Sequence, residues 1–324
     1  MAVLVTGAAG FIGFHVSKAL LARGEQVIGV DNLNDYYPPS LKRARLEQLA
    51  PDAGFAFHEA DIADHDALCA LLDGADVKTA IHLAAQAGVR YSIDNPFAYG
   101  RANLTGHLSV LELARRFEFD HLVYASSSSV YGANTETPFS EDHRTDAPVS
   151  LYGATKKADE ALSESYARLY GLAQTGLRFF TVYGPWGRPD MAYWSFTENM
   201  LKGEPIKVFN HGKMARDFTY IDDIVDGVIA AHANPPTEAQ GFHEIYNLGN
   251  DRPEDLMTMI GILEKELGVA AEKDMLGMQQ GDVERTWADI SKARRALGYD
   301  PKTSLEDGLA RFVAWRKARP DGFR

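Results

Sequence analysis

One cysteine, Cys69, stands in the 324 residues. A lone thiol permits no intramolecular disulfide and no cysteine-based metal site. Basic residues are in deficit, 33 Lys and Arg against 45 Asp and Glu, for a formal net charge of -12. That balance argues against nucleic acid as the main partner, because a phosphate backbone is met by a basic face. A small anion needs only a local arginine cluster and stays open. No apolar run reaches the roughly 18 residues of a membrane helix, and the N-terminus enters a strand at once. Neither a signal peptide nor a membrane anchor is expected, and the chain reads as cytoplasmic. Internal repeats and low-complexity segments are missing, and His82, His121 and His143 show no metal-ligand spacing, so no metal is expected. What is present is ordinary for a globular protein: 45% hydrophobic and 24% charged residues, enough for a sizeable core.

The most informative stretch is the first thirteen residues, MAVLVTGAAGFIG. Ala2 to Val5 reads as a buried strand. Gly7, Gly10 and Gly13 follow at three-residue spacing, and Phe11, Ile12, Val16, Ala19 and Leu20 then keep a helical period. Strand, glycine turn and helix together form the context of a dinucleotide site. Gly7 suits the tight turn, Gly10 lets the backbone approach a pyrophosphate, and Gly13 lets the helix pack on the strand. The helix N-terminus offers free N–H groups to the phosphates. A second strand, Gln26 to Val30, ends at Asp31. A carboxylate there suits the two ribose hydroxyls and repels a 2′-phosphate. Asn32 follows where an arginine would help NADP, so the expected cofactor is NAD.

Strands and helices then alternate as far as about residue 180. Further strands are expected at Phe55–His58, Thr79–Leu83, His121–Ala125 and Thr175–Phe180, and long helices at Phe97–Phe117 and Tyr152–Tyr170. That alternation predicts an α/β, doubly wound parallel sheet. Asp61-Ile62 follows the third strand, where the acid serves either the adenine amino group or the helix beginning near His65. Ala84, Ala85 and Gln86 after the fourth strand are small enough for a cofactor to pass. Asn103, inside a helix, is expected to hydrogen-bond a neighbouring strand. Beyond residue 180 the pattern loosens. Thr181 to Pro189 reads as loop, Tyr193–Lys202 as helix, Ile206–Phe209 as strand, and Thr219–Ala233 as helix after a cap-like Asp222. Glu244–Leu248 is one more strand, and three helices close the chain. The expected division is a nucleotide domain over 1–180 plus about 217–248. A smaller mixed C-terminal substrate domain takes about 181–216 plus 249–324.

Tyr152 and Lys156 stand four apart on one helical face. A lysine ammonium beside a phenol favours the phenolate, which makes a good acid/base for a sugar hydroxyl. Ser127, at the end of the fifth strand, supplies a second hydrogen bond to the same oxygen.

These residues resemble the extended short-chain dehydrogenase/reductases that act on nucleotide sugars. The resemblance spans the chain. It rests on TGAAGFIG (Thr6–Gly13), Asp61-Ile62, HLAAQAGVR (His82–Arg90), SSSSVYG (Ser126–Gly132), YGATK (Tyr152–Lys156), RDFTYIDD (Arg216–Asp223) and GDVERTWAD (Gly281–Asp289). The run LRFFTVYGPWGRPDMA (Leu177–Ala192) is most similar to the UDP-glucuronate 4-epimerases of that family. The resemblance implies a Rossmann sheet and bound NAD held by Gly7, Gly10, Phe11, Ile12, Gly13, Asp31, Asn32, Asp61, Ile62, Leu83, Ala84, Ala85, Gln86, Tyr152, Lys156 and Phe179. It implies catalysis by Ser127, Tyr152 and Lys156. A UDP-sugar would be held by Arg90, Arg188, Arg216 and Asp282, with Ser127, Ser128 and Thr181 on a C6 carboxylate. Dehydratases of the family carry an Asp-Glu pair where this chain has Ser128 and Ser129, and decarboxylases carry Glu at the second position. Without a carboxyl there, oxidation at C4 and return of hydride to the opposite face is the economical reaction. A homodimer through a helix bundle is also implied. Two alternatives stay open: another UDP-sugar 4-epimerase, and a non-catalytic NAD-binding regulator on the same fold.

Overall fold

The computed structural model describes residues 1–279, 281–319 and 322. Its centre is a parallel sheet of seven strands: β1 (Ala2–Thr6), β2 (Gln26–Asp31), β3 (Phe55–Glu59), β4 (Val77–His82), β5 (His121–Ser127), β6 (Gln174–Phe179) and a later strand at His243–Leu248. In space they run β3-β2-β1-β4-β5-β6 and then the later strand, all in parallel register. Val3, Leu4, Val5, Ile81, Leu122 and Val123 are buried, as expected for strands covered on both faces. The order reverses between β1 and β4, so the crevice at their carboxyl ends is where an open α/β sheet binds ligands. Helices α1 (Phe11–Ala22), α2 (Pro39–Leu49) and α3 (His65–Leu72) follow the first three strands.

The expected long helix over 97–117 runs without a gap from Pro96 to Arg116, widened by one π-helical turn. Helices α4 (Tyr91–Asp94) and α5 (Pro96–Tyr99) lead into a π-helical turn at Gly100–Thr105, then α6 (Gly106–Arg116). The wide turn carries Asn103, which is buried. Its amide oxygen accepts from Gln86 N at 2.8 Å, and its Nδ2 donates to Gln86 O and to Thr155 Oγ1. Asn103 thus ties the segment after β4 to α7 (Leu151–Tyr170), rather than bonding within a strand.

Thr181–Tyr183, expected as loop, is a short strand, β7, and β8 is Ile206–Val208. Ala215–Tyr220 is strand β9, so the helix expected from Thr219 starts only at Ile221, as α9 (Ile221–His232) after α8 (Ala192–Lys202). Asp222 lies in its first turn while Tyr220 is the capping residue. β9 pairs parallel with β7 and antiparallel with Pro253–Asp255. Three-residue strands between Gly and Pro leave no period in the sequence. Apolar side chains on both sheet faces form the core, and Tyr183, Tyr193, Phe218 and Phe312 extend it under the C-terminal segments.

Candidate active site

The residues singled out from the sequence gather at one edge of the sheet, because parallel strands put all their carboxyl ends on the same side. Gly7–Gly13 follow β1, Asp31-Asn32 close β2, Asp61-Ile62 follow β3, and Leu83–Gln86 follow β4. Ser127 ends β5 and Ser128 opens the turn after it, and Phe179 ends β6 just before Thr181.

The glycine loop is packed too tightly for side chains. Gly7 has φ +72°, and a Cβ on it would stand 2.8 Å from Ala84 N. A Cβ on Gly13 would stand 2.0 Å from Gly7 O, so only glycine lets α1 sit this close to the turn. No side chain caps α1 at Gly10, which leaves its first N–H groups for an anion. Asp31 is buried; its carboxylate accepts from Ala9 N at 3.2 Å and Leu33 N at 2.9 Å, tying β2 to the glycine loop. Asn32 accepts from Asn34 N at 3.2 Å. Asp61 accepts from Ala63 N at 2.9 Å and pairs with Arg101 at 3.0 Å, and the α3 cap is Asp64 instead. A glycine cradle, an uncapped helix N-terminus and an acid at the end of β2 fit a dinucleotide with free ribose hydroxyls.

Tyr152 and Lys156 lie in the first turns of α7, which starts on a Ser150 cap that accepts from Gly153 N at 3.0 Å. A Cβ on Gly153 would stand 2.6 Å from Ser129 O, so α7 enters hard against the serine run. Lys156 is buried, and its Nζ donates to Ala125 O at 3.0 Å and to Asp159 Oδ2 at 3.1 Å. Tyr152 meets Tyr99 edge-on, ring centroids 6.1 Å apart. Ser127 Oγ accepts from Ser129 N at 3.2 Å and is nearly buried. Below this set, Glu160 takes both Arg178 nitrogens, at 2.8 and 3.0 Å, and the Ser126 hydroxyl at 2.7 Å. Burial opposes the Glu160 charge, and the Arg178 pairing outweighs it and holds the carboxyl below its ordinary range.

The cations expected for a diphosphate sugar lie in two groups. Arg90 pairs with Asp282 at 3.1 Å and lies 4.9 Å over the Phe209 ring. Arg216, whose guanidinium donates to Ala215 O and Glu284 O, feels the charges of both. Their partners Asp282, Ala215 and Glu284 line a cleft of about 830 Å³, with Gly132, Lys213 and Gly281. Arg188 stands apart from them. It pairs with Asp190 at 3.0 and 2.5 Å, and Tyr36 donates to the same carboxylate at 3.1 Å. Burial opposes the Arg188 charge, and Asp190 holds the guanidinium above its ordinary range.

Among the described residues, four side chains to which the sequence motifs named above assign no role support this site: Lys42, Arg45, Asp159 and Asp190. Lys42 is buried 3.9 Å from Asp31. Arg45 is fully buried under the glycine loop. A signal existed for Arg45, because Leu41, Arg45 and Leu49 recur at four-residue spacing and share one buried face.

A family model for the NAD dependent epimerase/dehydratase family matches residues 3–249. The chain belongs to that family. It is 52% identical to UDP-glucuronate 4-epimerase 4 of Arabidopsis thaliana, over 97% of this chain and 74% of that protein. The crystal structure of UDP-glucuronic acid 4-epimerase from Bacillus cereus, in complex with UDP-glucuronic acid and NAD, superposes with a TM-score of 0.91. It is 38% identical and covers 98% of this chain and 99% of its own. A UDP-glucose 4-epimerase from Thermotoga maritima, in complex with UDP-glucose, gives a TM-score of 0.88 at 33% identity, covering 98% and 99%. As a family member, the protein is an NAD-dependent α/β enzyme with the expected parallel sheet. No helix among the described residues is long and apolar enough to cross a membrane.

Proposed function

We propose that the protein interconverts UDP-glucuronate and UDP-galacturonate by epimerisation at C4. The observation that carries this reading is the serine run seated against the Tyr152 end of α7 with no carboxyl of its own. In this reading NAD, when bound, supplies the hydride acceptor and donor. Gly7, Gly10, Gly13 and Asp31 hold it, with Asn32, Ile62 and Leu83–Gln86 along its path.

Tyr152 takes the proton from the C4 hydroxyl and later returns it. Ser127 hydrogen-bonds the same oxygen, and the ammonium of Lys156 favours the phenolate. Arg216, Arg90 and Asp282 tether the nucleotide diphosphate while the sugar turns. Ser127, Ser128 and Thr181 hold the C6 carboxylate near the plane of the C4 ketone. In that orientation the β-keto acid keeps its CO₂, because the breaking bond is not aligned with the carbonyl π system.

The division into a nucleotide domain and a UDP-sugar domain over the ranges given above is part of this reading, as is a homodimer. Leu104 and Leu108 on the helical segment after Pro96, and Leu169 and Tyr170 on α7, are exposed, and Phe97 is 89% exposed. Such apolar faces on two neighbouring helices suit a twofold helix bundle. A cytoplasmic location accords with the single free cysteine.

Incubation with a panel of UDP-sugars and product analysis tests the substrate. UDP-galacturonate from UDP-glucuronate is expected, and turnover of UDP-glucose alone would overturn the assignment. Tyr152→Phe is expected to lose about 10²–10⁴-fold in turnover with NAD still bound, the usual scale of a general acid/base.

A further inference from the structure

Asp159 lies three residues beyond Lys156 on α7 and has no exposed surface. Its Oδ2 accepts from Lys156 Nζ at 3.1 Å. Its Oδ1 meets no donor among the described residues. A buried carboxylate with one oxygen unmet is unfavourable, and a neutral side chain of the same size would fill the space. Its distinguishing property is therefore its charge.

Resting on the Tyr152–Lys156 reading above, we propose that Asp159 is a positioning residue that pins the Lys156 ammonium and offsets part of its field at Tyr152. Tyr152 and Asp159 are seven residues apart, two helical turns, and lie on one face of α7. The separation along the axis is about 10 Å, where one unit charge in a protein interior shifts an ionisation by roughly one pH unit. A catalytic phenol must both take and return a proton near neutral pH. Beside an unbalanced ammonium it would ionise too readily to return it. Asp159 restores the balance.

The other charged and titratable groups around the pair leave this role to Asp159. Tyr99, edge-on to Tyr152, is pushed up first by burial and stays a phenol. Arg188, a second cation facing Tyr152, has its own anion in Asp190. Glu160, next on α7, has its own cation in Arg178. His82 on β4 is pushed down to about 3 by burial and stays neutral. His107 on α6 is held well below its ordinary value, first by burial and then by His82 and Lys156. Tyr124 on β5 is pushed up by burial and by Glu160 and stays a phenol. Asp159 itself is pushed up to about 6 by burial against the pull of Lys156, so the offset is complete only above that pH.

The test compares wild type with Asp159→Asn, which keeps the shape and removes the charge. Tyr152 ionisation is followed through the near-ultraviolet tyrosinate band, as the difference from Tyr152→Phe, alongside the pH profile of kcat. Both the tyrosinate midpoint and the acid limb of kcat are expected to fall by about one pH unit. An unmoved or alkaline-shifted midpoint overturns the proposal, even if the variant is less stable. Asp159→Ser, smaller and neutral, must shift in the same direction; if neither variant folds, Asp159 is a folding residue and the proposal fails. Full activity in Tyr152→Phe would instead overturn the site reading itself, so the two failures are distinguishable.

Discussion

The guanidinium of Arg45 donates to the carbonyl oxygen of Trp186 through two nitrogens, at 2.7 and 3.1 Å, across 141 residues of sequence. The same side chain reaches Gly187 O at 2.7 Å, Ala9 O at 2.8 Å and the Tyr37 hydroxyl at 2.8 Å. It therefore stitches the glycine loop to the segment that carries Arg188. His15 adds a second stitch through a 3.0 Å hydrogen bond to Pro185 O.

Arg45→Met is expected to leave the carbonyls of Ala9, Trp186 and Gly187 without a buried donor. At roughly 1–3 kcal/mol for each unmet group, unfolding by urea should show a loss of about 3 kcal/mol or more. Because Arg188 is displaced with its loop, KM for the UDP-sugar should rise as well. A variant as stable as wild type would show that water replaces the guanidinium.

Asp31→Asn is expected to weaken NAD binding and relax discrimination against NADP by about tenfold or more, the scale of one charge-assisted hydrogen bond. Lys42, 3.9 Å from Asp31 and bonded to Asn34 at 2.8 Å, would then offer its charge to a 2′-phosphate. Adding Lys42→Met should remove the gain for NADP but not the loss for NAD. Cofactor dissociation constants of both variants check this, and an unchanged preference would make Asp31 a turn residue only.

Acid should destabilise the fold through histidines buried in the neutral form. Burial lowers His15 to about 4, His82 to about 3 and His121 to about 4. Their unfolded counterparts titrate near 6.5, so the unfolded chain binds more protons below that pH and stability falls with it. Each histidine contributes about 2 kcal/mol of loss between pH 7 and pH 5. His121, which bonds Thr175 Oγ1 at 2.9 Å, lies at the strand start away from the site. His121→Gln should flatten the curve of unfolding free energy against pH, measured by urea denaturation, by about that amount.

Leu108→Glu is expected to split the proposed dimer. The residue is exposed on α6, and a buried charge without a partner is strongly unfavourable at an interface. Light scattering at micromolar concentration should give a dimer mass for wild type and a monomer mass for the variant. A monomeric wild type would refute the bundle.

The parallel sheet and its ligand edge are legible in the residues alone. Apolar runs separated by helical periods leave one topology open, and glycines at three-residue spacing announce where a helix must press on a strand. The Tyr152–Lys156 spacing was equally legible, since four residues on a helix mean one face whatever surrounds it. Which distant polar groups meet depends on how the chain crosses itself in three dimensions. Arg45 with Trp186, Arg188 and Asp190 with Tyr36, and Lys42 with Asp31 are brought together by chain crossings that no local period records. The strand at Ala215–Tyr220 overlaps at its end the helical period that starts at Thr219, for the same reason. Its partners at Thr181–Tyr183 and Pro253–Asp255 are three residues long, and pairing across the chain, not propensity, makes them strands. The π-helical turn at Gly100–Thr105 belongs there too, because Asn103 needs Gln86 and Thr155 in place before its amide can be satisfied.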